Sequence, residues 1–167
     1  VEARKRRNES IQQLKFPFLF RPGQKKLTAI AYRAMEEKKH IFLQAPTGVG
    51  KTISTLYPAL KELGEEKAEN IFYLTAKTIT RTVAEDTVRL LKKQGLYLSS
   101  VVITAKEKIC IQEEMQCNPD KCERAAGHFD RINEALYALL NAEVAINREN
   151  ILLYAEKYSV CPYELSF

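Results

Sequence analysis

The stretch Ala45-Pro46-Thr47-Gly48-Val49-Gly50-Lys51-Thr52 decides how the rest of the chain is read. The apolar run Ile41-Phe42-Leu43-Gln44 before it predicts a short buried strand, and the run from Lys51 to Leu63 predicts a helix. A strand, a glycine-bearing turn and Gly-Lys-Thr opening a helix form the context of a phosphate-binding loop. In such a loop the backbone N–H groups of Gly48, Val49, Gly50 and Lys51 turn inward on phosphate oxygens, and the helix N-terminus adds partial positive charge. Lys51 is expected to reach the β- and γ-phosphates of ATP, and Thr52 to offer its hydroxyl to Mg²⁺. Ala45 stands where the simplest pattern has Gly, ahead of the tight turn. Residues Ala45, Pro46, Thr47, Gly48, Val49, Gly50, Lys51 and Thr52 together are the expected nucleotide contacts, with Lys51 and Thr52 in the catalytic roles.

The chain has 167 residues, of which 46% are hydrophobic, enough for a globular domain with a core. No apolar run approaches the roughly 18 residues that span a bilayer, so no membrane partner is expected. The basic start, Val1 to Arg7, is not followed by the apolar segment of a signal peptide. A cytoplasmic, nucleoid-associated location is therefore expected. The net charge of +5 is uneven, since residues 1–30 carry eight Lys/Arg against two Asp/Glu. The residues Arg4, Lys5, Arg6 and Arg7 suit contact with a polyanion such as nucleic acid, and suit equally a solvated helix face.

Outward from the loop, Glu2 to Leu14 predicts a charged helix and Phe16 to Phe20 an extended aromatic segment, its phenylalanines core rather than a base-stacking platform. Arg21-Pro22-Gly23-Gln24 opens a helix whose apolar positions are Leu27, Ile30, Ala31, Ala34 and Met35. Downstream, Ile71 to Thr75 predicts a second strand. A helix from Thr78 to Gln94 follows, ended by Gly95, and Ser100 to Thr104 predicts a third strand. Strands alternating with helices predict an α/β fold with a parallel sheet. The character changes near Lys106. Beyond it come a charged, cysteine-bearing stretch, an amphipathic helix from Phe129 to Val144 through Ile132, Leu136, Leu139 and Leu140, and a helix from Arg148 to Tyr158. The expected division is 1–106 for the α/β part, 107–163 for an inserted element and 164–167 for the return.

The cysteines are Cys110, Cys117, Cys122 and Cys161, with six, four and thirty-eight residues between successive members. With no sign of secretion, metal binding is favoured over disulfides. A small element with few large apolar residues is a reasonable place for a metal staple. The spacing matches neither the paired knuckles of zinc ribbons nor ferredoxin runs, so chemistry alone leaves zinc and iron–sulfur both open. His40 and His128 read as ordinary polar residues.

In this order, the motifs resemble the XPD/DinG-type iron–sulfur DNA helicases of superfamily 2. Phe20-Arg21-Pro22-Gly23-Gln24 resembles that family's nucleotide motif upstream of the phosphate loop. Tyr73-Leu74-Thr75-Ala76-Lys77-Thr78 resembles its motif Ia. Cys161-Pro162-Tyr163 resembles the surroundings of its last cluster ligand. The resemblance implies a RecA-like domain, ATP and Mg²⁺ as cofactors, and adenine contacts from Arg21 and Gln24. It also implies contacts from Thr75, Lys77 and Thr78 to single-stranded DNA or a DNA fork, and a [4Fe–4S] cluster on the four cysteines in a mostly helical insert. The implied activity is ATP-dependent 5′-to-3′ DNA unwinding in repair or replication. The alternative is a zinc-stabilised P-loop nucleotide-binding or interaction module without helicase activity.

One departure stands out. The family's motif II is an apolar strand ending in Asp-Glu, and the sequence has no Asp-Glu pair. Val101-Val102-Ile103 runs into Thr104-Ala105-Lys106-Glu107 instead. The resemblance therefore implies the N-terminal portion of a longer helicase. Its second RecA-like domain would lie elsewhere in the parent, the portion would be inactive alone, and its open sheet edge would favour a dimer.

Overall fold

The computed structural model describes residues 2–142 and 145–167, with the side chain of Thr78 also outside the described set. Eight helices are described: α1 (Glu2–Gln13), α2 (Gln24–Glu36), α3 (Lys51–Gly64), α4 (Thr78–Lys93), α5 (Lys106–Ile109), α6 (His128–Asn141), α7 (Arg148–Lys157) and α8 (Pro162–Leu165). The chain divides into two compact units, residues 1–98 and 99–167.

The expected parallel sheet and RecA-like fold are not seen, because no strand forms among the described residues. The segments 41–44 and 71–75 carry no regular secondary structure and make no ladder. Their side chains keep a period of two: Phe42 is fully exposed between half-covered Ile41 and Leu43, and Tyr73 is better covered than Phe72 or Leu74. The third expected strand reduces to a single parallel bridge between Val101 and Ile146, closed by the Val102 N–H donating to the Ile146 carbonyl at 2.9 Å. The physical difference is between local and non-local bonding. A helix satisfies its own backbone within four residues, whereas a strand needs a partner edge in register, and apolar composition cannot supply one.

In the first unit the core is the meeting of α1, α3, the end of α4 and the turn after it. Ile11, Leu14, Ile53, Leu60, Leu63, Leu91 and Leu96 are buried together, with Phe16, Tyr57, Ile71 and Leu98 packed around them. The α3 positions Ile53, Leu56, Leu60 and Leu63 recur at helical spacing, which turns one stripe inward. Pro58 lies inside α3 and removes the N–H that would bond the Ser54 carbonyl, the usual cause of a bend at such a place. α2 turns Leu27, Ala31 and Ala34 inward, and small residues there admit close approach to α3. Lys61 of α3 closes the open end of α1, donating to the carbonyls of Ile11 at 2.6 Å and Leu14 at 2.8 Å. Burial beside those carbonyls pushes the Lys61 ammonium below the usual lysine range. The Tyr57 hydroxyl adds a bond to the same Leu14 carbonyl at 3.1 Å.

The second unit has a core of its own. Ile109, Ala135, Leu139, Ile151, Ala155, Val160 and Leu165 are buried together, drawn from α5 to α8 and the turn before α8. The Phe129–Val144 helix expected here is α6, which begins at His128 and is described to Asn141; Val144 lies outside the described residues. Arginines fasten the turns around this core. Arg131 donates to the Ala126 carbonyl at 2.6 Å and the Ser159 carbonyl at 2.8 Å, and Arg148 donates to the Lys108 carbonyl at 3.0 Å. The Arg124 guanidinium pairs with Glu156. A planar fork with five donors suits this bridging of carbonyls from separate turns.

Candidate functional site

The loop before α3 takes the form its glycines permit. Gly48 (φ 87°) and Gly50 (φ 84°) both occupy the left-handed region, and Gly50 stands immediately before the first residue of α3. Left-handed residues of this kind occur in the turns that form anion-binding concavities. Lys51 opens the helix, and its ammonium donates to the loop carbonyls of Ala45 at 2.9 Å and Pro46 at 3.0 Å. The amine thus rests over the mouth of the loop. Thr47 and Val49 lie between these anchors.

Arg21 and Gln24 are drawn against the loop. The Arg21 guanidinium donates to the Gly48 carbonyl, and the Arg21 backbone N–H donates to Gln24 Oε1 at 3.0 Å. Gln24 is buried at the start of α2, and its Nε2 fills the space a β-carbon on Gly50 would need. The two residues expected to face adenine therefore brace the phosphate loop in this structure.

Thr52, in the first turn of α3, is half-buried. The Tyr73 hydroxyl lies 3.4 Å from Thr52 Oγ1, reaching it from the segment 71–75. Tyr73 was not among the residues expected from sequence to serve the site. The phosphate-binding group fits what is present: a left-handed glycine pair, a helix N-terminus, an ammonium and a hydroxyl at one end of α3. Thr75 and Lys77 follow at the entrance to α4, where Thr75 Oγ1 lies 3.4 Å from the Lys77 carbonyl and Lys77 itself is extended and exposed. Thr78 begins α4, its side chain outside the described residues.

The basic residues of α1 are partly engaged. Arg4 pairs with Glu66 at 3.0 Å, and the Arg6 guanidinium sits 4.2 Å from the centre of the Tyr97 ring. Such contacts belong to a helix face docked on its own unit as much as to one displayed for a polyanion.

All four cysteines lie in the second unit, and all are free thiols. Each is set by local structure. Cys110 ends α5, Cys161 precedes α8 with its N–H donating to His128 Nδ1 at 3.4 Å, and the Cys122 N–H donates to the Asn118 carbonyl at 2.9 Å. Cys117 is exposed, and the Lys106 ammonium is held above the usual lysine range, first by the Cys117 sulfur and then by Glu164 and Cys161. The donor chemistry of four thiols suits a thiolate-bound group. No three His, Cys, Asp or Glu side chains gather into a metal-holding group among the described residues.

No helix among the described residues is long and apolar enough to cross a membrane. The family model for DEAD/DEAH box helicases matches residues 21–142, about three-quarters of the chain. This match takes in the Arg21–Gln24 stretch, the phosphate loop, the segment 71–78 and three of the four cysteines. No curated protein and no solved structure matches the chain.

Proposed function

The chain belongs to the DEAD/DEAH box helicase family, and on that basis we propose that it provides the nucleotide-binding site of an ATP-dependent DNA helicase. The observation that carries this reading is the left-handed glycine pair leading into α3, with Lys51 at the loop mouth and Thr52 one residue on. Lys51 exchanges its carbonyl partners for phosphate oxygens, the N–H groups of residues 48–51 take further oxygens, and Thr52 directs its hydroxyl to Mg²⁺. Bound magnesium neutralises charge developing on the phosphates during transfer. Arg21 and Gln24 keep the loop in its binding form and meet the adenine side of the nucleotide. Catalysis of phosphoryl transfer needs positioning of the attacking water as well, and the sequence offers no Asp-Glu pair for it. Nucleotide binding with little hydrolysis is therefore the activity assigned to these residues, and ATP-driven unwinding to the helicase they serve.

Thr75, Lys77 and Thr78 are assigned to the phosphates of single-stranded DNA or a fork, supported by exposed Lys77 at the start of α4. The resemblance of the motifs supports 5′-to-3′ movement and a role in repair or replication. It also supports a [4Fe–4S] cluster on Cys110, Cys117, Cys122 and Cys161, in keeping with four free thiols in one unit.

Binding of a fluorescent ATP analogue tests the central reading. Wild-type protein is expected to bind it, and Lys51→Ala to weaken binding more than about tenfold, the loss of a charge-assisted phosphate contact. Equal binding by both proteins overturns the assignment. Binding of single-stranded DNA is expected to weaken steeply with salt, and its absence at low salt removes the nucleic-acid assignment. An absorption spectrum of anaerobically purified protein separates the metal readings. A brown protein with a broad visible band supports iron–sulfur, and a colourless, zinc-loaded one supports the zinc-stabilised module.

A further inference from the structure

Tyr73 and Thr52 are 21 residues apart in sequence, yet their hydroxyl oxygens lie 3.4 Å apart. Tyr73 lies in a segment without regular secondary structure whose side chains alternate in exposure. Phe72 and Leu74 face solvent, each at least 80% exposed, and Tyr73 turns the other way towards the first turn of α3. Among the described hydrogen bonds, the phenol is the partner of Thr52 Oγ1, here as the donor.

A hydroxyl that gives a lone pair to a cation must send its proton elsewhere. Polarisation by the cation makes that proton a stronger donor, so an acceptor on the far side strengthens the metal contact. A phenol is both donor and acceptor, so the pair can exchange roles by rotation of two O–H bonds without moving a heavy atom. The separation is longer than a usual O–H···O bond, as is common for such contacts before the ligand is in place.

We propose that Tyr73 is a positioning residue for the nucleotide's Mg²⁺: its phenol oxygen accepts the Thr52 hydroxyl proton and so aims a Thr52 lone pair at the metal. This inference rests on the nucleotide-site reading of residues 45–52 and extends it to a residue outside the loop. The contribution is that of one hydrogen bond, and it appears only in the metal-dependent part of nucleotide affinity.

The test is binding of a fluorescent ADP analogue to the full chain, titrated with Mg²⁺ and in its absence. Tyr73→Phe keeps the ring and removes the oxygen, and an unchanged helical circular-dichroism spectrum shows that the fold survives. Relative to wild type, Tyr73→Phe is expected to weaken Mg²⁺-nucleotide binding about three- to tenfold. Metal-free binding is expected to remain within about twofold. Thr52→Ala is expected to abolish the Mg²⁺ enhancement, and adding Tyr73→Phe to it to change nothing further. Unaltered Mg²⁺ dependence in Tyr73→Phe overturns the role of Tyr73 while leaving the nucleotide site standing. Equal weakening with and without Mg²⁺ also overturns it, since that pattern belongs to a packing role. Failure of wild type to bind nucleotide under either condition overturns the site and the inference together.

Discussion

The Gln24 side chain occupies the space that a β-carbon on Gly50 would need, and its own oxygen is held by the Arg21 N–H at 3.0 Å. Two segments distant in sequence thus set the phosphate loop, one through backbone freedom and one through a buried amide. Gly50→Ala meets both constraints. The left-handed conformation at φ 84° costs a non-glycine residue about 1–2 kcal/mol, and the new methyl displaces Gln24. Nucleotide affinity is expected to fall at least about tenfold and the denaturation midpoint to drop. In a Gln24→Ala background the added cost of Gly50→Ala should shrink by about 1 kcal/mol, because only the backbone part remains. Equilibrium unfolding of the four proteins of this cycle checks the division.

Gly64 closes α3 against α1 in a different way. A β-carbon there would lie 2.5 Å from Ile11 Cγ2 and 2.9 Å from Ile11 Cβ, and Ile11 is fully buried in the core. Neither atom can swing aside, since a β-branched side chain is stiff at its first torsion. Gly64→Ala is expected to destabilise the protein by about 1–3 kcal/mol, as overpacking does, despite the helix preference of alanine. Combining it with Ile11→Ala, which removes the Cγ2 contact and keeps that of Cβ, should relieve part of that increment. A Gly64→Ala variant as stable as wild type would show that α1 is not docked on α3 as described.

The major helices were legible because the signals that make them are local. The Lys51–Leu63 prediction meets α3 at Lys51–Gly64, and Arg148–Tyr158 meets α7 at Arg148–Lys157. The four-residue α5 and α8 are too short to show a period. Ile41–Gln44 and Ile71–Thr75 read as strands and form none among the described residues, since a ladder depends on a partner that no run of residues names. At the site, the loop motif located Lys51 and Thr52, but Tyr73 reaches Thr52 only through the path of the chain. Gln24 read as a base-recognising amide, and nothing in the spacing shows that its Nε2 abuts Gly50.

The second unit suggested a metal staple because it holds few large apolar residues. Its core closes on Ile109, Leu139, Ile151, Val160 and Leu165. Replacing all four cysteines by serine is therefore expected to leave α6 and α7 helical and to remove any bound metal. Ile151→Ala, at a fully buried position, is expected to cost about 2–5 kcal/mol. Hydrogen exchange at the amides of α6 and α7 reads both outcomes. Loss of protection in the serine variant comparable to that in Ile151→Ala would mean that the thiols, not the apolar core, hold the unit.

Lys67 joins the ends of two helices through carboxylates, with Glu65 at 2.7 Å, Glu36 of α2 at 3.3 Å and Glu62 at 3.8 Å. Its hydrogen bond to Glu65, foremost, and then that to Glu36 hold the ammonium above the usual lysine value of 10.5. A folded value above the unfolded one means that the folded chain retains the proton longer. The stabilisation is therefore complete below about pH 10 and is lost as pH rises through the folded value. Lys67→Met should be less stable than wild type at neutral pH and low salt. The gap should narrow when salt is raised, because the group is exposed and its pairs are screened. It should narrow again above the ordinary lysine value, where the unfolded chain has already released its proton. Denaturant unfolding of both proteins from pH 7 to about pH 11, at two ionic strengths, measures the difference directly and cancels the titration of groups common to both. A gap that widens with pH would have the wrong sign for a lysine held in its charged form, and would remove Lys67 as the link between α2 and α3.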